Sequence, residues 1–374
     1  MRKRLIYLFA FLSITMLIQA KAYPMAPLVD KNATKETKTL HRRLFKLMDK
    51  GIMLGHQDDL AYGHGWYKEN GRSDVKSVAG DYPAVIGWEL GHIELGAAYN
   101  LDSVYFSDMK HYIRDTYRRG GITTASWHAD NIVTGKTAWD CSPDDQVVSK
   151  ILSGGEKHEQ YLKWLDRVAD FFLDLKDDKS KLIPVVFRMY HEHTGAWFWW
   201  GNMQCTPEQY KELWVMTVRY LRDTRHVHNL IYAYSPATVK DKEEYFSRYP
   251  GDDYVDMIGY DCYAFTKDDG MEKYKKEMDL NLKIVTDYAQ GSGKIPTIGE
   301  TGHETLEYPN YFTQVLYPVI SRYKISWVLF WRNAWSPQLP NHYYMPFAGH
   351  PATEDFNRFV AKERILMNSD INKK

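Results

Sequence analysis

Cysteine is scarce in this chain, and its positions exclude two kinds of architecture. The 374 residues include three cysteines, Cys141, Cys205 and Cys262, which allow at most one disulfide bond. They form no Cys-x-x-Cys pair and no cluster, so the sequence supports neither a structural zinc site nor a disulfide-stabilised scaffold. A bond between Cys141 and Cys205 stays open, because both residues follow predicted strands.

An excess of charge of one sign is missing as well. The 48 basic and 48 acidic residues give a formal net charge of zero, and the chain has no long basic run. A nucleic-acid-binding surface needs an excess of lysine and arginine, so this balance excludes nucleic acid as a partner.

A long apolar run occurs only at the start of the chain. The basic segment Met1–Arg4 precedes a nearly continuous apolar run from Leu5 to Ile18, and residues 20–22 (Ala-Lys-Ala) fit the small-x-small rule for cleavage. The run is short for a membrane span. The cleavage point also has no cysteine near it, which argues against a lipid anchor. We predict a signal peptide over residues 1–22, a mature chain that begins at Tyr23 without a membrane anchor, and a periplasmic or secreted protein.

Aromatic residues, in contrast, are abundant. They make up 15% of the chain, with 12 tryptophans and 28 tyrosines. Flat rings with polar edges suit the apolar faces of sugars, although the same residues also fill cores and protein interfaces. The composition therefore raises carbohydrate binding as a hypothesis without deciding it.

Eight short apolar or β-branched runs recur at fairly regular intervals. Runs without alternation between apolar and polar residues are typical of strands buried on both faces of a parallel sheet. The predicted strands cover residues 51–56, 84–90, 122–128, 182–192, 229–236, 254–263, 294–302 and 326–334.

Amphipathic helical segments fill most of the intervals between these strands. The segment 158–175, for example, places Leu165, Val168 and Phe172 on one side. Eight strand–helix units predict an α/β fold of the (β/α)8 TIM-barrel type, with residues 23–374 as a single catalytic domain. A doubly wound open sheet is the alternative, but no glycine-rich phosphate loop follows the first strand. Further helices are predicted over 102–119, 207–225, 271–288 and 311–323.

Two glutamates stand at the ends of predicted strands four and seven. Glu192 ends the run 182–192, and Glu300 follows 295–299. In a closed barrel these strands face each other across the carboxyl-terminal mouth, where barrel enzymes carry their active sites. Polysaccharide hydrolysis uses such a pair, in which one carboxylic acid protonates the leaving oxygen and one carboxylate attacks or assists. The alternative is that each glutamate pairs with an arginine at the rim.

Four segments carry distinctive motifs: 191–201 (HEHTGAWFWWG), 298–302 (IGETG), 54–63 (LGHQDDLAYG) and 330–334 (FWRNA). Together they resemble the β-mannanases of glycoside hydrolase family 26. The resemblance extends over roughly residues 36–366. It implies a retaining enzyme that cleaves β-1,4-mannosidic bonds in mannan, galactomannan or glucomannan, with Glu192 as acid/base and Glu300 as nucleophile.

The same resemblance implies which other side chains bind substrate or orient the site. Among these side chains, we expect Tyr260 to donate a hydrogen bond to Glu300, His128 to contact the sugar at the cleavage point, and Arg332 to contact the sugar in subsite −2. Ordinary structural roles are the alternative for several members: Arg332 can neutralise a rim acid, and His56 can hold a loop. The set comprises His56, His128, His191, Trp197, Tyr260, Trp331 and Arg332.

The chemistry sets requirements for the two carboxyl groups. Burial against tryptophans and the charge of Glu300 are expected to raise the pKa of Glu192, so that it stays protonated. No cofactor is expected. A catalytic metal is not expected either, because His191 and His193 alternate along a predicted strand and point to opposite faces.

The partner implied by the resemblance is a β-mannan polysaccharide or oligosaccharide, bound by a monomer. Two alternatives stay open on the sequence. One is a hydrolase of β-glucan or β-1,3-xylan that uses the same machinery, because sugar choice depends on contacts that a sequence does not place. The other is a non-catalytic glycan-binding barrel. Such a protein would keep the tryptophans and lose one of the two glutamates, whereas this chain has both.

Overall fold

The computed structural model describes residues 23–265 and 270–373. The predicted signal peptide, residues 1–22, lies outside the described residues, so it stays a prediction. Within the described ranges, no helix is long and apolar enough to cross a membrane.

Eight parallel strands form the barrel that the sequence predicts, with one strand in each predicted run. A hairpin (Tyr62–Gly63 with Trp66–Tyr67) and a short strand beside the first barrel strand (Ile365–Leu366) were not predicted. The barrel strands are β1 (Ile52–Gln57), β2 (Val85–Glu89), β3 (Ile122–Trp127), β4 (Val185–Met189), β5 (Leu230–Tyr234), β6 (Met257–Ile258 and Asp261–Tyr263), β7 (Ile295–Pro296 and Ile298–Gly302) and β8 (Trp327–Phe330).

Interruptions in β6 and β7 accompany the closure of the barrel. The first piece of β6 pairs with β5 and with the first piece of β7, whereas the second pieces of β6 and β7 pair with each other. The second piece of β7 then pairs with β8. Here the register shifts between Ile298 and Thr301, so β7 carries a bulge that contains Glu300. Bulges re-aim side chains and are frequent next to active sites.

Helices surround the barrel, and all five predicted helical segments contain helix. The segment 102–119 becomes helical only at Phe106. Thr206, as the N-cap, and Gln209, in the first turn, form a capping box at the start of the helix that Pro207 begins. The bounds are α1 (Lys35–Lys50), α2 (Asp74–Ala79), α3 (Phe106–Arg118), α4 (Val147–Ile151), α5 (His158–Asp174), α6 (Pro207–Arg219), α7 (Lys242–Ser247), α8 (Gly270–Ser292), α9 (Tyr317–Ile320) and α10 (Thr353–Val360), with π-helical turns at Tyr220–Thr224 and Tyr311–Leu316.

Helix α1 closes the amino-terminal end of the barrel. It contacts both β1 and β5, which lie on opposite sides. Leu44 and Leu47 of α1 belong to the same buried cluster as Val186, Ile231 and Trp327 of the strands. The carboxyl ends of the strands are therefore the end available for a binding site.

The cysteines are all free, so the disulfide that the sequence left open is not formed. The Cys141 thiol contacts the Ala196 carbonyl at 3.5 Å. The Cys205 thiol contacts the Trp200 carbonyl at 3.5 Å and lies 3.3 Å from an Arg248 nitrogen.

Candidate active site

Glu192 lies in a strained turn just beyond β4. The strand ends at Met189, earlier than predicted, and Tyr190 and Glu192 have positive φ angles of 47° and 54°. A left-handed backbone costs a non-glycine residue about 1–3 kcal/mol, and such residues cluster at functional sites. The Glu192 amide donates to the Ser235 carbonyl at 2.8 Å, which fixes the turn against the end of β5.

Trp197 holds the carboxyl group of Glu192. The indole Nε1 donates to Glu192 Oε2 at 2.7 Å, while 44% of Trp197 stays exposed. A Cβ at Gly195 would lie 2.2 Å from the Trp197 ring, so glycine is needed for the indole to fold back onto the turn. Burial, and then the charge of Glu300, raise the pKa of Glu192 to about 7, which confirms the expected direction.

The carboxylate of Glu300 is buried between a cation and a phenol. Arg188 of β4 donates to Oε1, and the Tyr263 hydroxyl donates to Oε2 at 2.6 Å. Gly299, the residue before Glu300, leaves space for the side chain of Ser235, because a Cβ at position 299 would lie 2.6 Å from Ser235 Oγ. Both oxygens of Glu300 therefore accept a hydrogen bond, and one of the two donors is a cation.

Tyr263 is the tyrosine that contacts Glu300, and the prediction for Tyr260 is wrong. The Tyr260 hydroxyl donates to the Met278 carbonyl of α8 at 3.3 Å, and the side chain is fully buried. The reason is the alternation of side chains along the second piece of β6. Asp261 and Tyr263 share the face towards Glu300, so Tyr260 faces the surrounding helices.

Asp261 and Arg188 complete the carboxylate cluster, and the sequence prediction assigned neither. Asp261 accepts hydrogen bonds from Arg188 Nη1 at 2.8 Å and from Ser235 Oγ at 2.7 Å, so Arg188 bridges two carboxylates. An arginine inside the apolar run 182–192 was the available signal, because arginine is rarely buried unpaired.

The three carboxyl groups stand close together. Oxygens of Glu192, Asp261 and Glu300 lie within 4.8 Å of one another, and in the part of the chain that the structure describes they are the one group of three that could ligate a metal ion. Arg188 already pairs with two of them. The absence of a catalytic metal from the reaction therefore stays a prediction.

The predicted histidines His128 and His191 contact each other inside the cleft. Their Nε2 atoms are 3.0 Å apart, and His128 Nδ1 lies 2.7 Å from Glu89 Oε2. His191 Nε2 is 3.9 Å from Glu300 Oε1. His193 instead packs between two buried tyrosines, in a turn and not on a strand.

These groups line a cavity of about 520 Å³ with aromatic walls. Trp197 and Trp331 both line it, as predicted. Trp139 lines it too: its ring stacks on His128 with centroids 5.0 Å apart, and 49% of Trp139 is exposed. The sequence prediction missed Trp139, because it lies in the long loop after β3, where no periodicity indicates which way a side chain points.

His56 and Arg332 lie outside the lining of this cavity. His56 is fully buried with Nδ1 2.7 Å from Asp59 Oδ1, which favours the loop-holding alternative. Arg332 follows Trp331 and pairs with Asp102 at 3.1 Å. Its contact with sugar stays a prediction.

Known sequences with similarity to this chain act on mannan, according to their names. Residues 29–328 match the family described as glycosyl hydrolase family 26. The mannan endo-1,4-β-mannosidase of Bifidobacterium adolescentis is 36% identical over 280 residues, which are 73% of this chain and 27% of that protein. The mannan endo-1,4-β-mannosidase of Bacillus subtilis strain 168 is 28% identical over 272 residues, which are 69% of this chain and 72% of that protein.

Solved structures share the fold over most of the chain. A GH26 β-mannanase from Bacteroides ovatus has a TM-score of 0.87 and 44% identity, and the match covers 91% of this chain and 98% of that one. The catalytic domain of a GH26 endo-β-1,4-mannanase from Bacillus sp. JAMB-750 has a TM-score of 0.85 and 31% identity, over 94% of this chain and 96% of that one. Since the family match also spans most of the sequence, the chain belongs to glycosyl hydrolase family 26.

Proposed function

We propose that the protein hydrolyses β-1,4-mannosidic bonds in mannan, galactomannan or glucomannan, with retention of configuration at the anomeric carbon. One observation carries the proposal: carboxylate oxygens of Glu192 and Glu300 lie within 4.8 Å of each other. Retaining enzymes hold their two carboxyl groups about 5–5.5 Å apart, whereas inverting enzymes need roughly 6.5–9.5 Å to admit a water. The names of the relatives support mannan as the substrate.

The reaction then takes two steps. In the first, Glu300 attacks the anomeric carbon while Glu192 gives its proton to the glycosidic oxygen, so the sugar–oxygen bond breaks and a glycosyl ester of Glu300 forms. In the second, Glu192 as carboxylate takes a proton from water, and the resulting hydroxide attacks the anomeric carbon. Hydrolysis of the ester restores the carboxylate of Glu300 and the protonated Glu192.

Parallel assays on galactomannan, glucomannan, mixed-linkage β-glucan and β-1,3-xylan test the substrate. We expect turnover of the mannans, with the β-anomer as the first product in proton NMR. Turnover of β-glucan or β-1,3-xylan alone would contradict the mannanase proposal. Binding of mannan without any product would favour the glycan-binding barrel instead.

We also propose that the protein is exported after removal of residues 1–22 and acts as a monomer. The basic start and the apolar run support export. Amino-terminal sequencing of the exported protein should begin at Tyr23, and light scattering during size-exclusion chromatography should give the monomer mass. An uncleaved chain in the cytoplasm, or a dimer mass, would contradict these two points.

A further inference from the structure

Glu89, at the end of β2, is a buried carboxylate that accepts four hydrogen bonds. Oε1 accepts from the amides of Gly91 and His128 at 2.6 and 2.7 Å. Oε2 accepts from Ser126 Oγ at 2.6 Å and from His128 Nδ1 at 2.7 Å. Both partners of Oε1 are backbone amides, which can only donate, so the site favours the ionised form. Burial alone would raise the pKa of Glu89, but His128 and the other donors lower it to about 2.

This carboxylate fixes where His128 carries its protons. Nδ1 must carry a hydrogen to donate to Glu89, and Nε2 faces His191 Nε2 at 3.0 Å, so one of the facing atoms must donate. Burial disfavours charge on both rings, yet the carboxylate of Glu89 raises the pKa of His128 above its ordinary value. Burial and Arg188 keep the pKa of His191 well below it. Of the two rings, His128 is therefore the one that favours a positive charge, and when it is charged its Nε2–H donates to neutral His191.

Charged groups face His128 from several elements of the barrel. Glu89 from β2 and Glu300 from β7 favour the cation, while Arg188 from β4 opposes it. His191, beyond the end of β4, is the acceptor. The ring of Trp139 covers one face of the imidazole.

Both ring nitrogens of His128 are thus used by the protein, and a sugar hydroxyl finds neither of them free. The chain of contacts runs from Glu89 through His128 to His191, and it ends 3.9 Å from Glu300 Oε1. A role in the chemistry at Glu300 fits this arrangement better than the sugar contact that the sequence predicted for His128.

We propose that Glu89 is a positioning residue, which orients His128 and keeps it charged so that the positive charge of His128 acts on the nucleophile. The positive charge of His128, which interacts with Glu300 across the cleft without a hydrogen bond, stabilises the carboxylate that leaves the glycosyl ester in the second step. This inference rests on the proposed hydrolysis for its catalytic part only. The protonation of His128 is a property of the free protein.

The variant Glu89→Gln tests both parts. The amide oxygen can still accept from Gly91 and His128 amides, but the amide nitrogen donates where Oε2 accepted. His128 must then accept at Nδ1 and become neutral with its proton on Nε2. Nitrogen-15 NMR of the imidazoles in the free protein at neutral pH should show this change of tautomer. On mannan, kcat should fall about tenfold or more, with KM within about twofold, because no sugar contact is lost.

Glu94→Gln is the matched control. Glu94 is also a buried carboxylate after β2, but it accepts from Trp127 Nε1 at 2.9 Å and the Asp130 amide at 2.8 Å. Its replacement should leave the His128 signals unchanged and kcat within about twofold. The conservative Glu89→Asp should keep His128 charged and lose less activity than Glu89→Gln.

Two outcomes would overturn the proposal. One is a His128 that stays charged in Glu89→Gln. The other is a raised KM with unchanged kcat, which would restore His128 as a sugar contact. If the wild-type protein turned over no mannan, the proposed function would fail, while the NMR result would still decide whether Glu89 controls His128.

Discussion

Replacing Tyr263 by phenylalanine removes one donor from Glu300 and leaves the ring in place. The hydroxyl donates to Oε2 of a buried carboxylate at 2.6 Å, and a hydrogen bond to a charged group is worth about 1.5–3 kcal/mol. This bond matters most when Glu300 leaves the glycosyl ester, because negative charge then returns to the oxygen. If its full value is lost in that transition state, kcat falls about 10- to 150-fold.

Tyr260→Phe is the control for the Tyr263 variant. The Tyr260 hydroxyl contacts the Met278 carbonyl at 3.3 Å, on the side of β6 that faces α8. Loss of a hydrogen bond between neutral groups costs about 0.5–1.5 kcal/mol of folding free energy. We therefore expect a slightly lower Tm and a kcat within about twofold of the wild type.

A rapid-mixing assay with an aryl β-mannobioside separates the two reaction steps. A good leaving group makes formation of the glycosyl ester fast, so the Tyr263 variant should give a burst of phenol followed by slow turnover. The Tyr260 variant should behave like the wild type. Equal kcat values for the two variants, or a greater loss in Tyr260→Phe, would refute the assignment of Tyr263.

Three further predictions concern the two catalytic carboxyl groups. Glu300→Ala should abolish turnover of mannan with unchanged circular dichroism, because no bond to the anomeric carbon can form; near-normal activity would remove Glu300 as nucleophile. Glu192→Ala should slow hydrolysis of mannan far more than that of an aryl mannoside with a good leaving group, which needs little protonation. Equal losses on both substrates would contradict the acid role. Finally, kcat/KM should fall as the pH rises through about 7, because Glu192, whose pKa is raised by burial and by Glu300, then loses the proton it must donate. A profile that stays flat well above pH 7 would assign the acid elsewhere.

The barrel could be predicted because its strands are buried on both faces. All six residues of β3 are buried, and residues of this kind form apolar runs that stand out from the helical segments. The interruptions in β6 and β7 could not be predicted in the same way. They depend on which neighbouring strand each short piece pairs with when the barrel closes. Local residue preferences do not contain this information about strand pairing.

The two glutamates proposed as catalytic could be singled out in the sequence because each stands at the end of a recognisable apolar run inside a specific motif. The tyrosine that contacts Glu300 could not, since Tyr260 lies in the break between the two pieces of β6 and Tyr263 ends the second piece, and the sequence does not show where the break falls. Trp139 was hidden for another reason. Its place over His128 depends on the path of a long loop, which the sequence does not define.

The position of Arg188 accounts for the different roles of the two glutamates. Arg188 is buried and pairs with both Asp261 and Glu300, so two carboxylates share one positive charge. Burying such charges is tolerable only when they are paired and hydrogen-bonded. Glu192 has the neutral indole of Trp197 as its donor, so ionising it would add a further negative charge within 4.8 Å of the other two carboxylates. Burial and the charge of Glu300 therefore raise the pKa of Glu192, and the proposed acid and the proposed nucleophile differ in which of them Arg188 contacts.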